Sequence, residues 1–103
     1  MISTVKVLAA LAEPTRLAAM TILSDGSEHC VCELMNKLGA TQSRMSRHMK
    51  ILKDAGLVID RRDAQWVRYR RNDRISLETA AIVDAALVLV SSEGNTHIER
   101  NAA

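Results

Sequence analysis

Two groups of side chains in this chain have the types and spacing to do chemistry. Cys30 and Cys32 flank Val31 in the run HCVCEL. Thiolates are soft ligands and good nucleophiles, and a pair this close suits metal capture or a redox role in a reducing compartment better than a structural crosslink. Shortly after come Gln42, Ser43, Arg44, Ser46, Arg47 and Lys50, the polar side of TQSRMSRHMKILKDAGL, with His48 among them. Arg and Gln can pair with guanine and adenine edges, while Ser and Lys suit bases or phosphates. No convergent acid, base and nucleophile set stands apart from these groups, so an enzyme and a catalytic cofactor are not expected.

The elements that must position these groups are legible from periodicity. Val31, Leu34, Met35 and Leu38 recur at helical spacing, and Gly39 stops that helix. Thr41 is a good N-cap for a second helix with Met45, Met49 and Leu52 inward, and Gly56 ends it. Two short helices joined by a tight turn, the second with a base-reading face, form a helix-turn-helix. Residues 57–62 and 65–71 are β-rich runs around an Asp63-Ala64 turn, and Arg61, Arg62, Gln65, Arg68 and Arg70 supply polar and charged side chains to that hairpin. A basic hairpin after a helix-turn-helix is the order of a winged helix, whose wing lies along the phosphate backbone or minor groove.

Upstream, Val5, Leu8 and Leu11 at spacing three suggest a short helix over 3–12. Pro14 then opens another that ends near Ser24, with Leu17, Met20 and Leu23 inward. Ser76 caps a last helix to about Ser91, whose run AAIVDAALVLV is apolar nearly all round. Such a helix must bury a second face, and a second copy of the chain is the expected cover, with Val5, Leu8, Leu11, Ile82, Ala85, Leu87 and Leu89 at the homodimer interface. The expected architecture is mainly α with a small β-hairpin. Residues 1–92 form the DNA-binding and dimerisation domain, and 93–103 a polar, flexible tail.

Charge supports this organisation. Net charge is only +2, but residues 41–74 hold ten Lys or Arg against four acids, the footprint of a surface for double-stranded DNA. With one Trp, one Tyr and no Phe, the core must be aliphatic and Met-rich, which suits packed helices. A cytoplasmic protein without membrane contact is expected. The N-terminal apolar patch lacks a basic leader or cleavage site, and the run from Ala80 to Val90 is interrupted by Asp84 and too short to span a bilayer.

On the runs LAEPTRLAAMTIL, HCVCEL, TQSRMSRHMKILKDAGLV and RRDAQWVRYR, the chain resembles the ArsR/SmtB family of winged-helix metal-sensing repressors, and within it the arsenical-responsive members. The resemblance covers nearly the whole sequence. It implies a homodimer that holds its operator when ligand-free and releases it when a metal or metalloid binds. Trivalent arsenic or antimony, as arsenite, antimonite or a methylated trivalent arsenical, is the implied inducer at Cys30 and Cys32. Arsenical repressors with this motif usually carry a third cysteine where this chain has Met35, which leaves two sulfurs with a solvent oxygen or His29 as third ligand. The family's other sensing site, on the last helix, corresponds here to Asp84 and His97 but also to Ala86 and Arg100, so half of it is missing.

Because i and i+2 side chains diverge on a regular helix, Cys30 and Cys32 can share one ion only if the helix start unwinds or is already non-helical. The same divergence makes a disulfide between them awkward. The alternatives are a thiol-based redox or persulfide-sensing repressor of the same fold, and a dimerisation module that does not bind DNA.

Overall fold

The computed structural model describes the backbone of residues 2–102 and the side chains of residues 2–93. Five helices and three short strands follow in the order α1 (Thr4–Leu11), α2 (Pro14–Leu23), β1 (His29–Cys30), α3 (Val31–Leu38), α4 (Gln42–Asp54), β2 (Val58–Asp63), β3 (Trp66–Arg71) and α5 (Leu77–Ala102). The result is a winged helix-turn-helix, mostly helical with one small antiparallel sheet.

Local chemistry sets most boundaries. The Thr41 hydroxyl accepts the Arg44 N–H at 3.3 Å and opens α4, as Ser76 does for α5 through the Thr79 N–H at 3.1 Å. Gly39 closes α3 in the left-handed region, at φ 65°. Gly56 does the same after α4 at φ 85°, and the Leu57 N–H then reaches back to the Leu52 carbonyl at 3.0 Å. The core beneath is aliphatic and Met-rich, with Met20, Leu23, Leu34, Met45, Met49, Leu52, Leu57 and Val83 fully buried.

Three features depart from expectation. The sheet has a third strand, β1, in the order β1-β3-β2, with His29 opposite Tyr69 and Cys30 opposite Arg68. The hairpin turns at Ala64-Gln65, one residue later than Asp63-Ala64, because Asp63 is still paired with Trp66. Leu11 belongs to the protomer's own core and not to an outer face. On α1 the inward stripe is Val7, Ala10 and Leu11, since spacing of three drifts about 60° per step around a helix and carries Leu11 away from Val5 and Leu8. The last helix runs to Ala102; the expected tail of residues 93–103, with His97 and Arg100, lies almost wholly outside the described side chains.

Gly39 and Gly56 should differ as alanine substitutions. A Cβ at Gly39 meets nothing, so Gly39→Ala should cost only the left-handed strain, about 1 kcal/mol. At Gly56 a Cβ would also lie 2.9 Å from the Ile2 side chain, so Gly56→Ala should lower the urea midpoint further.

Candidate DNA-reading surface and thiol pair

Cys30 is the residue at which the chain changes from strand to helix. At φ −67° and ψ 145° it is extended, and it serves as the N-cap of α3, its sulfur accepting the Cys32 N–H at 3.3 Å. The helix start is therefore already non-helical at the first cysteine. The Cα atoms of Cys30 and Cys32 lie 5.2 Å apart and the two sulfurs are joined as a disulfide. The divergence expected of i and i+2 side chains applies within a helix, and of this pair only Cys32 is helical. Cys30 is buried and Cys32 is exposed, so reagents meet Cys32 first.

His29 does not point toward this pair as a third ligand. Neighbouring side chains on a strand leave opposite faces, and both ring nitrogens of His29 are already engaged. Nδ1 lies 2.6 Å from Glu33 Oε2, and Nε2 lies 2.8 and 3.0 Å from the two Asp25 oxygens. With a carboxylate at each nitrogen the ring is held as the imidazolium. Burial works to lower the His29 pKa, but the hydrogen bonds and charges of Glu33 and Asp25 outweigh it and the value is raised. Reciprocally, Glu33 is held below the usual carboxylate range by His29 and then Lys37, and Asp25 by the Ser27 N–H first and by His29. Met35 packs partly buried against the core. Among the described residues, no group of three or more His, Cys, Asp or Glu is arranged to hold a metal ion.

The polar row of α4 is open to solvent as the spacing predicts. Gln42, Ser43, Arg44 and Arg47 are exposed, Ser46 is half-buried, and Lys50 is exposed beside Asp54 at 3.1 Å. His48 is turned inward instead, with Nδ1 3.1 Å from an Arg16 nitrogen and 3.6 Å from Glu13. Between α4 and the wing lies a cleft of about 380 Å³ whose cations are Lys50, Lys53 and Arg62. Lys53, bonded to Asp60 at 3.0 Å, falls beyond the polar row that the spacing marks.

The wing's arginines are mostly paired in advance. Arg61 forks onto Glu28 at 2.7 and 2.9 Å, Arg68 meets Asp63 at 2.9 Å, and Arg70 lies 3.4 Å from Asp73. Arg71 bonds Asp84 on α5 at 2.8 Å, which engages the aspartate that stood for the last-helix sensing site. Among the described residues, Arg44, Arg47 and Arg62 have no carboxylate within 4.0 Å, and Gln65 is exposed at the wing tip. Val5, Leu8, Leu77, Val88 and Leu89 are exposed on α1 and α5, with Ala85 also open. Ile82 and Leu87 are partly covered by the protomer's core.

Residues 13–60 match the model of the family described as bacterial regulatory protein, arsR family. The chain is 41% identical over 76 residues to the arsenical resistance operon repressor of Escherichia coli, covering 74% of this chain but only 65% of that protein. Among solved structures it is similar to HlyU from Vibrio cholerae, with a TM-score of 0.70 and 35% identity over 82% of this chain and 88% of that one. It is also similar to the homodimeric winged helix-turn-helix DNA-binding domain Mb0332 from Mycobacterium bovis, with a TM-score of 0.69 and 25% identity over 84% and 77% of the two chains.

The His29 contacts give stability a pH signature. A raised folded pKa means that the His29 pairing stabilises fully below the ordinary histidine value of about 6.5 and is lost as pH rises through the folded value. The lowered Asp25 and Glu33 values act in the opposite sense, their contribution being lost as pH falls through their folded values. Urea midpoints should therefore decline from about pH 6 upward, and His29→Gln should flatten that decline.

Proposed function

The chain belongs to the arsR family of bacterial regulatory proteins, and from that premise we propose that it is a homodimeric repressor whose hold on operator DNA is broken when trivalent arsenic or antimony binds Cys30 and Cys32. The observation that carries the reading is the place of the thiol pair. It sits at the first turn of the helix that packs on the recognition helix, and on the strand that pairs with the wing.

In operator binding, α4 enters the major groove with Gln42, Ser43, Arg44 and Arg47 toward base edges. Lys50, Lys53 and Arg62 follow the adjacent phosphates. The pairs on Arg61, Arg68 and Arg70 are partly exposed and individually weak, so phosphates can compete with the carboxylates for them. Dimerisation buries the exposed apolar side chains of α1 and α5 and presents two recognition helices to a palindromic site. The homodimeric state of the similar Mycobacterium bovis domain supports this.

Induction starts from the reduced dithiol. Arsenous acid loses one hydroxyl to each thiol proton as water while an As–S bond forms, first at exposed Cys32 and then at Cys30, leaving one oxygen on arsenic. Holding both sulfurs on one arsenic atom displaces the Cys30 sulfur from the position in which it accepts the Cys32 N–H. Because Cys30 caps α3 and pairs with Arg68, the displacement reaches both α3 and the wing. Met35 supplies no third thiolate, so a methylated trivalent arsenical, which offers two exchangeable positions, fits as well as arsenite. The disulfide favours a second reading, a thiol redox sensor of the same fold in which a two-electron oxidant joins Cys30 to Cys32.

Gel shifts on the DNA upstream of the gene separate the two. Arsenite and methylarsenite should release the reduced wild type, while Cys30→Ser and Cys32→Ser stay bound. Release by peroxide but not by arsenite would replace the first reading with the second. Arg47→Ala should weaken operator binding by roughly tenfold without changing inducer affinity.

A further inference from the structure

Arg16 lies in neither the thiol site nor the DNA face, yet its side chain, 13% exposed, makes contacts to two other helices. Its Nε donates to the Ala10 carbonyl at 2.6 Å and a terminal nitrogen to the Ala9 carbonyl at 3.4 Å, both in the last turn of α1. The other terminal nitrogen lies 3.1 Å from His48 Nδ1 on α4. Guanidinium nitrogens only donate, so in this arrangement His48 Nδ1 accepts and the ring proton sits on Nε2. Glu13 completes the cluster, its carboxylate accepting the Arg16 N–H at 2.9 Å and lying 3.6 Å from His48 Nδ1.

We propose that Arg16 is a positioning residue for operator recognition, one guanidinium that fixes the roll of α4 relative to α1 through His48. The inference rests on the DNA-reading assignment of α4. The buried face of α4 is Met45, Met49 and Leu52, and apolar contacts of flexible methionines do not by themselves fix rotation about the helix axis. A hydrogen bond is directional. His48 follows Arg44 by one turn and adjoins Arg47, so whatever fixes its azimuth fixes theirs. A roll of about 10° moves a side-chain tip roughly 6 Å from the axis by about 1 Å, enough to lose a base-edge hydrogen bond. The other end of the clamp is α1, which carries exposed Val5 and Leu8, so in a dimer the same guanidinium sets how each recognition helix sits relative to the joint between protomers.

The test uses a duplex selected by the wild-type chain from a random pool, a scrambled duplex, and salt titrations of both. Arg16→Met should weaken binding to the selected duplex about tenfold while leaving scrambled-duplex affinity and the salt slope unchanged. His48→Leu should reproduce the loss, the double variant should be no worse than either single one, and His48→Gln, which keeps an acceptor for Arg16, should restore selectivity. If Arg16→Met does not fold, the His48→Leu and His48→Gln pair decides alone. Selectivity retained in His48→Leu would overturn the proposal. So would an equal loss on both duplexes with the salt slope reduced by about one, which is the mark of a phosphate contact. A wild type that selects no duplex would sink the DNA-reading assignment and this inference with it.

Discussion

The constraint on which the molecule depends is the change of backbone state at Cys30. One residue ends a strand, caps a helix and supplies half of a sulfur pair. An N-cap must leave helical geometry, and that requirement turns the sulfur of Cys30 back onto the first turn where Cys32 waits. A cysteine pair at positions i and i+2 wholly inside a helix would have its sulfurs facing apart. Placed across the cap, the same pair is brought together, with the Cα atoms 5.2 Å apart. The thiol chemistry is thus a by-product of how α3 begins, and anything that alters the sulfurs must alter that beginning.

Electrostatics follow a similar economy. The chain concentrates its cations between 41 and 74, yet the folded molecule returns much of that charge to local carboxylates, Glu28 on Arg61, Asp63 on Arg68, Asp73 on Arg70 and Asp84 on Arg71. Exposed pairs of this kind hold side chains in place while contributing little to stability. On the proposed reading, phosphates substitute for the carboxylates on Arg61, Arg68 and Arg70 at small net cost, while Arg71, largely buried, stays with Asp84. Among the described residues Arg44 and Arg47 on α4, Arg62 on the wing and Arg74 beyond it have no such partner, so part of the cationic charge of α4 and the wing is left unneutralised.

What the sequence makes legible is what local chemistry decides. Thr41, Gly39, Gly56 and the Met45, Met49, Leu52 stripe act within one or two turns, and each stands where spacing places it. The two-residue strand β1 has no period to read, and its existence depends on β3, almost forty residues away. His29 resembles a ligand because it adjoins two cysteines; only the strand's alternation, and the carboxylates four residues to either side, turn it away. A spacing of three does not by itself place Leu11, because the stripe drifts around the helix. Arg16 gave no signal at all, since its partners are the backbone of α1 and a side chain 32 residues on.

Magnitudes indicate that so small a device suffices. Tenfold weaker DNA binding needs about 1.4 kcal/mol of coupling, and two protomers acting on one operator each need supply only half. Sulfur is a weaker cap than the oxygen acceptors whose loss costs about 1 kcal/mol, and one disturbed backbone pairing between short strands is of about that size. On the proposed reading, As–S bonds at Cys30 and Cys32 are strong enough to meet that cost, whereas hydrogen bonds from a noncovalent ligand at the same turn would be matched by water. A covalent ligand at a helix cap is therefore the economical way for a domain of this size to exchange DNA affinity for ligand binding, with no cavity and no large domain motion required.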